Sequence, residues 1–257
     1  MCELFAISSA ETLQPEDLLR LFFSHSKDNQ NGWGLAVFHR NGVNLEKEPI
    51  RADQSSYLNY RLHSLKGVCN LFAHIRKATK GNISYENCHP FVMNDCEGRT
   101  WTLMHNGTIF NCPTLEPYVR VQEGMTDSER ILCYIVDRMN AASVIAERKL
   151  TVEERFKLVD DVVCEVSEHN KLNLIIYDGE IFYIHTNYKN SLYVHQETNT
   201  ALFATVPIDR SVWLPLPFTT LLAYKDGRHI MTGTCHGHEY IDNAADMQYM
   251  YLDYLEY

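Results

Sequence analysis

Two groups of short strand-like runs, split by a long helical pair, constrain this chain most. The first group comprises a buried-strand pattern at 2–8, Trp33 to Phe38 after the Asn31-Gly32 turn, the apolar run from Val68 to Arg76, and strands near 91–95 and 100–105. The second is a meander at 172–178, 180–186, 192–196, 201–205, 219–224 and 228–233, with Asp178-Gly179 and Asp226-Gly227 as hairpin turns. Between them Thr126-x-x-Glu129 has the form of a capping box opening a helix from Asp127 to about Glu147, and a second helix runs from Thr151 to about His169. Pro15 opens a shorter apolar-periodic helix, another lies around 53–65, and 243–254 reads as a closing helix. The pattern is α+β, with sheets covered by helices.

The 257 residues are 45% hydrophobic, enough for a full core, and are expected to form a single domain over 1–257. A net charge of −10 with no basic run disfavours nucleic acid and anionic membranes as partners. No apolar stretch approaches the roughly 20 residues of a membrane span, and Met1 to Ser8 lacks a signal-peptide pattern, so a cytoplasmic location is expected. The eight cysteines include no C-x-x-C pair, and most of the seven beyond Cys2 read as small core hydrophobes. Cys235-His236-Gly237-His238 is the one cluster resembling metal ligands, but no second cluster completes a set; no metal and no cofactor is expected.

The eighth cysteine is Cys2. Removal of Met1 would give one residue both a thiol nucleophile and an α-amine of pKa about 7.7–8.0, able to take its proton. Arg76 ends a buried run, Asn106-Gly107 follows a strand, and Asp127 begins a helix. Each has a structural account as well: a surface charge, an ordinary turn, a partner for the helix dipole. Together they match what hydrolysing the side-chain amide of a free amino acid requires. A guanidinium holds the α-carboxylate, a carboxylate holds the ammonium, and an Asn side chain beside a glycine N–H supplies two oxyanion donors.

The succession Met1-Cys2, Asn31-Gly32-Trp33-Gly34, Ala73-His74-Ile75-Arg76, His89-Pro90-Phe91, His105-Asn106-Gly107 and Asp127-Ser128-Glu129 resembles the class II glutamine amidotransferases. The match is dense over the first 140 residues, and Ala204 to Pro207 and Trp213 to Pro215 resemble the later part of stand-alone members. The resemblance implies a four-layer αββα sandwich of the N-terminal-nucleophile hydrolase type. It implies Cys2 as nucleophile, Asn106 and Gly107 as oxyanion hole, Arg76 and Asp127 as the substrate clamp, and Gly32, Trp33 and Gly34 as the floor beside Cys2, with His74 and Thr79 as pocket neighbours. Many members carry Asp where this chain has Asn31. The resemblance also implies ammonia transfer to an acceptor on a separate synthase subunit. The alternatives are hydrolysis of γ-glutamyl peptides or thiol metabolites by the same clamp, or a non-catalytic binding domain. The Met- and Tyr-rich tail 247–257 reads as a core-covering helix, or as a homo-oligomer contact.

Overall fold

The computed structural model describes residues 2–79 and 81–243. In chain order the elements are β1 (Glu3–Leu13), α1 (Glu16–Ser24), β2 (Trp33–His39), β3 (Gly42–Glu48), α2 (Ser56–Ser64), β4 (Val68–Ile75), β5 (Phe91–Asn94), β6 (Thr100–His105), α3 (Asp127–Ala146), α4 (Val152–Ser167), β7 (Asn173–Tyr177), β8 (Phe182–Thr186), β9 (Tyr193–Gln196), β10 (Thr200–Ala204), β11 (Leu214–Pro215), β12 (Thr220–Lys225) and β13 (Arg228–Cys235). Most expected elements are present within a few residues. The closing helix lies almost wholly outside the described residues.

The strands form two antiparallel sheets. One has seven strands in the order β11-β9-β10-β1-β4-β2-β3, the other six in the order β13-β12-β8-β7-β6-β5. Period-2 alternation along β1 explains how they stack. Leu4 and Ala6 join Phe72, Met104, Ile175 and Phe203 in the core between the sheets. Phe5 and Ile7 face the other way, packing with Leu19, Phe22 and Leu58 of α1 and α2. On the far side Leu103, Ile176 and Tyr183 pack against Ile131, Ile135, Val159 and Val163 of α3 and α4. The four layers are therefore helices, sheet, sheet, helices, as the resemblance implies.

Both hairpins form, the first one residue later than expected: Asp178 N donates to Ile181 O (3.3 Å), which leaves Gly179 and Glu180 as its central pair. Asp226 and Gly227 have φ of 51° and 73°, the left-handed pair that a two-residue hairpin requires. Strand β3 is absent from the sequence reading. It is an edge strand whose alternation of Val43 and Leu45 with Asn44, Glu46 and Glu48 packs only one side on the core. The 3₁₀ segment Pro113–Arg120 was likewise unforeseen, with Pro at both 113 and 117 masking any helical period. Among the described residues no helix is long and apolar enough to cross a membrane.

Candidate active site

Strand β1 lies at the centre of its sheet, and its first residues are held from several directions. Leu4 donates its N–H to Thr205 Oγ1 (3.0 Å) and accepts from Thr205 N (3.1 Å). On the outer face the Glu3 carboxylate meets His25 Nδ1 (2.9 Å) and Asn29 Nδ2 (3.2 Å). Cys2 shares the parity of Leu4, which directs it toward the second sheet. Pairing of Glu3 with Ile75 sets it beside Arg76. Its half-buried sulfur accepts the Lys77 N–H at 3.3 Å. Burial pushes the Cys2 thiol up, the Lys77 N–H and the Arg76 guanidinium pull it down, and the Asp127 carboxylate pushes it up again.

Arg76 is buried, and two loop carbonyls fix its guanidinium: Nη1 donates to Asn82 O (2.9 Å) and Nη2 to Gly81 O (3.1 Å). Its backbone exchanges hydrogen bonds with the Asn31-Gly32 turn, Arg76 N to Gly32 O at 2.8 Å and Asn31 N to Arg76 O at 3.0 Å. Asn31 Oδ1 accepts the Ala78 N–H at 3.0 Å. An amide oxygen serves this acceptor role as a carboxylate would, which accounts for Asn in place of Asp. Gly32 has φ +142°, and a Cβ there would fall 2.5 Å from Cys88 Sγ. At Gly34 a Cβ would fall 1.8 Å from the His89 carbonyl, so two backbones touch where any side chain would part them.

Trp33 corrects one expectation. Its indole does not line the floor beside Cys2 but packs on the outer face of the sheet against Phe23 and Tyr57, with Nε1 donating to Glu48 Oε2 (3.1 Å). Alternation along β2 forces this, because Gly34 and Ala36 take the inner face. Thr79 is half-buried, three residues beyond Arg76. His74 is buried with its ring 4.3 Å from that of His89, and no nitrogen of either ring has a hydrogen-bond partner among the described residues. Burial, reinforced by Arg76 and neighbouring imidazoles, holds both well below the usual histidine range.

The second sheet supplies the facing wall. Asn106, just past β6, exchanges backbone hydrogen bonds with Asn173 (2.9 and 3.2 Å), and Thr108 does so with Lys171 (2.9 and 3.0 Å). Between them Gly107 runs so close that a Cβ would lie 1.8 Å from Lys171 O and 2.4 Å from His105 Nε2. His105 Nε2 donates to that same carbonyl (3.2 Å), leaving Nδ1 to accept from the Ser128 hydroxyl (2.9 Å). Asp127 opens α3, with its Oδ2 accepting the Ile109 N–H at 2.8 Å. The helix N-terminus favours its negative charge, and the carboxylate ties the Asn106-Gly107 loop to α3. A separate cleft of about 430 Å³, lined by Phe38, Arg40, Arg99 and Tyr177 among others, opens at the other end of the sandwich and includes none of these residues.

The expected capping box at Thr126 is only half made. Thr126 Oγ1 accepts the Glu129 N–H (3.3 Å), but the Glu129 carboxylate turns to Glu123 N (2.6 Å) and Gly124 N (2.9 Å). Sequence reasoning did not foresee this, nor the role of the buried Asn87. Their signal is faint, since neither residue type announces which loop it will hold.

Residues 1–197 match the family described as class II glutamine amidotransferases. The chain belongs to that family. It is 31% identical over 196 residues to an uncharacterized protein of Methanocaldococcus jannaschii, covering 76% of this chain and 53% of that one. A Haemophilus influenzae protein whose name proposes a glutamine amidotransferase is 30% identical, with 61% of this chain and 52% of the relative covered. The chain thus spans about half the length of these two relatives. YafJ of Escherichia coli, similarly named, is 27% identical over 70% of each chain. Among solved structures, the glutamine phosphoribosylpyrophosphate amidotransferase of Bacillus subtilis superposes with a TM-score of 0.65 at 16% identity, over 90% of this chain and 48% of that one. At such identity the likeness establishes the amidotransferase fold alone.

Proposed function

We propose that this class II amidotransferase chain hydrolyses the side-chain amide of glutamine through a γ-glutamyl thioester on Cys2. One observation carries the reading: the pairing of β1 with β4 sets Cys2 beside the Arg76 guanidinium, while Asp127 of a different layer anchors the Asn106-Gly107 loop of the facing sheet. A guanidinium and a carboxylate at that spot suit the carboxylate and ammonium of a glutamyl group. A thiol pushed up by burial stays protonated near neutrality, so attack needs a base close by. With Met1 removed, the Cys2 α-amine serves, directly or through a water. The thiolate attacks the amide carbon, and the resulting oxyanion is received by the Asn106 side chain and the Gly107 N–H. The α-ammonium returns its proton to the amide nitrogen, and collapse of the tetrahedral intermediate breaks the C–N bond and expels ammonia. Water then attacks the thioester and releases glutamate.

An acceptor for the ammonia is proposed to lie on another polypeptide or segment. The same clamp would serve any γ-glutamyl amide, so the leaving group is the open choice. The deciding experiment treats the protein with 6-diazo-5-oxo-L-norleucine, a glutamine-shaped alkylating agent, and follows intact mass. A single adduct on Cys2 in chains lacking Met1 is expected. Processed protein that takes no adduct and releases no ammonia from glutamine would overturn the reading. Parallel turnover of glutamine and γ-glutamyl dipeptides then fixes the leaving group.

A further inference from the structure

Asn87 lies outside every motif assigned to chemistry, yet it is 1% exposed and uses both ends of its amide. Nδ2 donates to Asn82 O (3.0 Å) and to Ser84 Oγ (3.2 Å), while Oδ1 accepts the Met125 N–H (2.7 Å). The Asn82 carbonyl is the oxygen that also receives Arg76 Nη1 at 2.9 Å. Met125 stands two residues before Asp127, where α3 begins. One side chain thus joins the loop that orients Arg76 to the loop that delivers Asp127, and it crosses from one sheet's layer to the other's helix.

The surroundings leave it little freedom. A Cβ on Gly81 would lie 3.1 Å from Asn87 Nδ2, and one on Gly124 would lie 2.4 Å from its Oδ1. The Glu129 carboxylate secures the same Glu123-Gly124 stretch from behind. The bridge demands a donor at one end and an acceptor at the other. Aspartate, of equal size, would set an oxygen against the Asn82 carbonyl; alanine would leave the Met125 N–H without this acceptor.

We propose that Asn87 is a positioning residue that sets the separation of Arg76 and Asp127, and through it the fit of an α-amino acid. This rests on the glutamyl-binding reading above. The carboxylate and ammonium of such a substrate sit on one carbon, so their spacing is fixed and the protein's two charges must match it. A misplacement of about 1 Å in such a clamp costs on the order of 100-fold in rate.

The test compares wild type with Asn87→Asp, Asn87→Ala and the milder Ser84→Ala. Each is treated with 6-diazo-5-oxo-L-norleucine, which carries the α-amino acid group, and with iodoacetamide, which does not. The expected result is selective. In the Asn87 variants the concentration of the first reagent giving half-maximal inactivation, and KM for glutamine, rise about tenfold or more. Iodoacetamide labels Cys2 at a rate within about twofold of wild type. In Ser84→Ala the shift has the same direction and is smaller. Equal loss toward both reagents would overturn the inference, since that marks general disorder of the site. So would unchanged saturation in an Asn87 variant that melts like wild type. A processed wild type labelled by iodoacetamide but not by the glutamine analogue would remove the functional reading itself, and the inference with it.

Discussion

Helices α3 and α4 begin with the same pattern, Thr-x-x-Glu, and use it differently. At α4 the pattern closes on itself: Thr151 Oγ1 accepts the Glu154 N–H (3.2 Å) and Glu154 Oε2 accepts the Thr151 N–H (2.8 Å). The pair is exposed, and Arg148 adds a two-pronged contact at 2.7 and 2.8 Å. At α3 the threonine still caps the helix, but the buried Glu129 reaches back to Glu123 and Gly124, and Asp127 reaches across to Ile109. The difference lies in surroundings. In water a first-turn acid best satisfies its own helix; buried against loops with N–H groups to satisfy, it bonds those instead. An identical motif is thereby a helix start in one place and a scaffold for the site in the other.

The largest expected contrast is between the first-turn acids themselves. Asp127→Ala should lower kcat/KM for glutamine about 100-fold or more, because it removes both the proposed charged contact to substrate and the anchor of the Asn106-Gly107 loop. Glu153→Ala at the start of α4 should change it less than about twofold, as expected of a surface change remote from the site. Ammonia release under steady state measures both. Comparable losses would break the comparison.

Next comes the third position. Glu129→Gln keeps shape but offers one amide oxygen to two N–H groups that now meet a carboxylate, and should lower stability by about 1–2 kcal/mol. The exposed Glu154→Gln should lower Tm detectably less. Thermal unfolding at neutral pH, two-state for both, checks the order. Smaller still is the effect at the caps: Thr126→Ala and Thr151→Ala should each cost about 1 kcal/mol, but only Thr126→Ala should also raise KM. Equal kinetics in the two would mean that the start of α3 does no more than the start of α4.

What the sequence disclosed follows the same division. Periodicity located the sheets and the central helices because burial of one face writes itself into every second or third residue. Glycines 32, 34 and 107 stood out because a motif named them, and close backbone approaches give each a structural reason. Trp33 belonged to the same motif, and its side chain went to the opposite face. The motif speaks for the backbone path there, and strand parity disposes of the indole. Asn87, Ser128 and Glu129 were illegible as scaffold. Asn87 and Glu129 hold backbone groups of loops 5 to 38 positions away, which look alike at every residue, and Ser128 meets the His105 ring 23 positions away.

The smallest effect concerns acid. Glu154 is held down to about 2, chiefly by its hydrogen bonds to Arg148 and then to the Thr151 N–H. Its folded value lies below its unfolded one, so ionised Glu154 favours the folded state at pH above the ordinary glutamate range near 4.5, and this stabilisation fades as pH falls toward 2. The Tm difference between wild type and Glu154→Gln should therefore be level from pH 7 down to about 5, narrow below it, and vanish near pH 2. Because the arginine and glutamate side chains are 53% and 39% exposed, the difference should be modest and should shrink further in about 1 M salt. Glu129→Gln, whose loss comes from buried N–H groups rather than a solvated ion pair, should keep most of its deficit in the same salt. If both differences collapse together, the two helix starts differ in degree and not in kind.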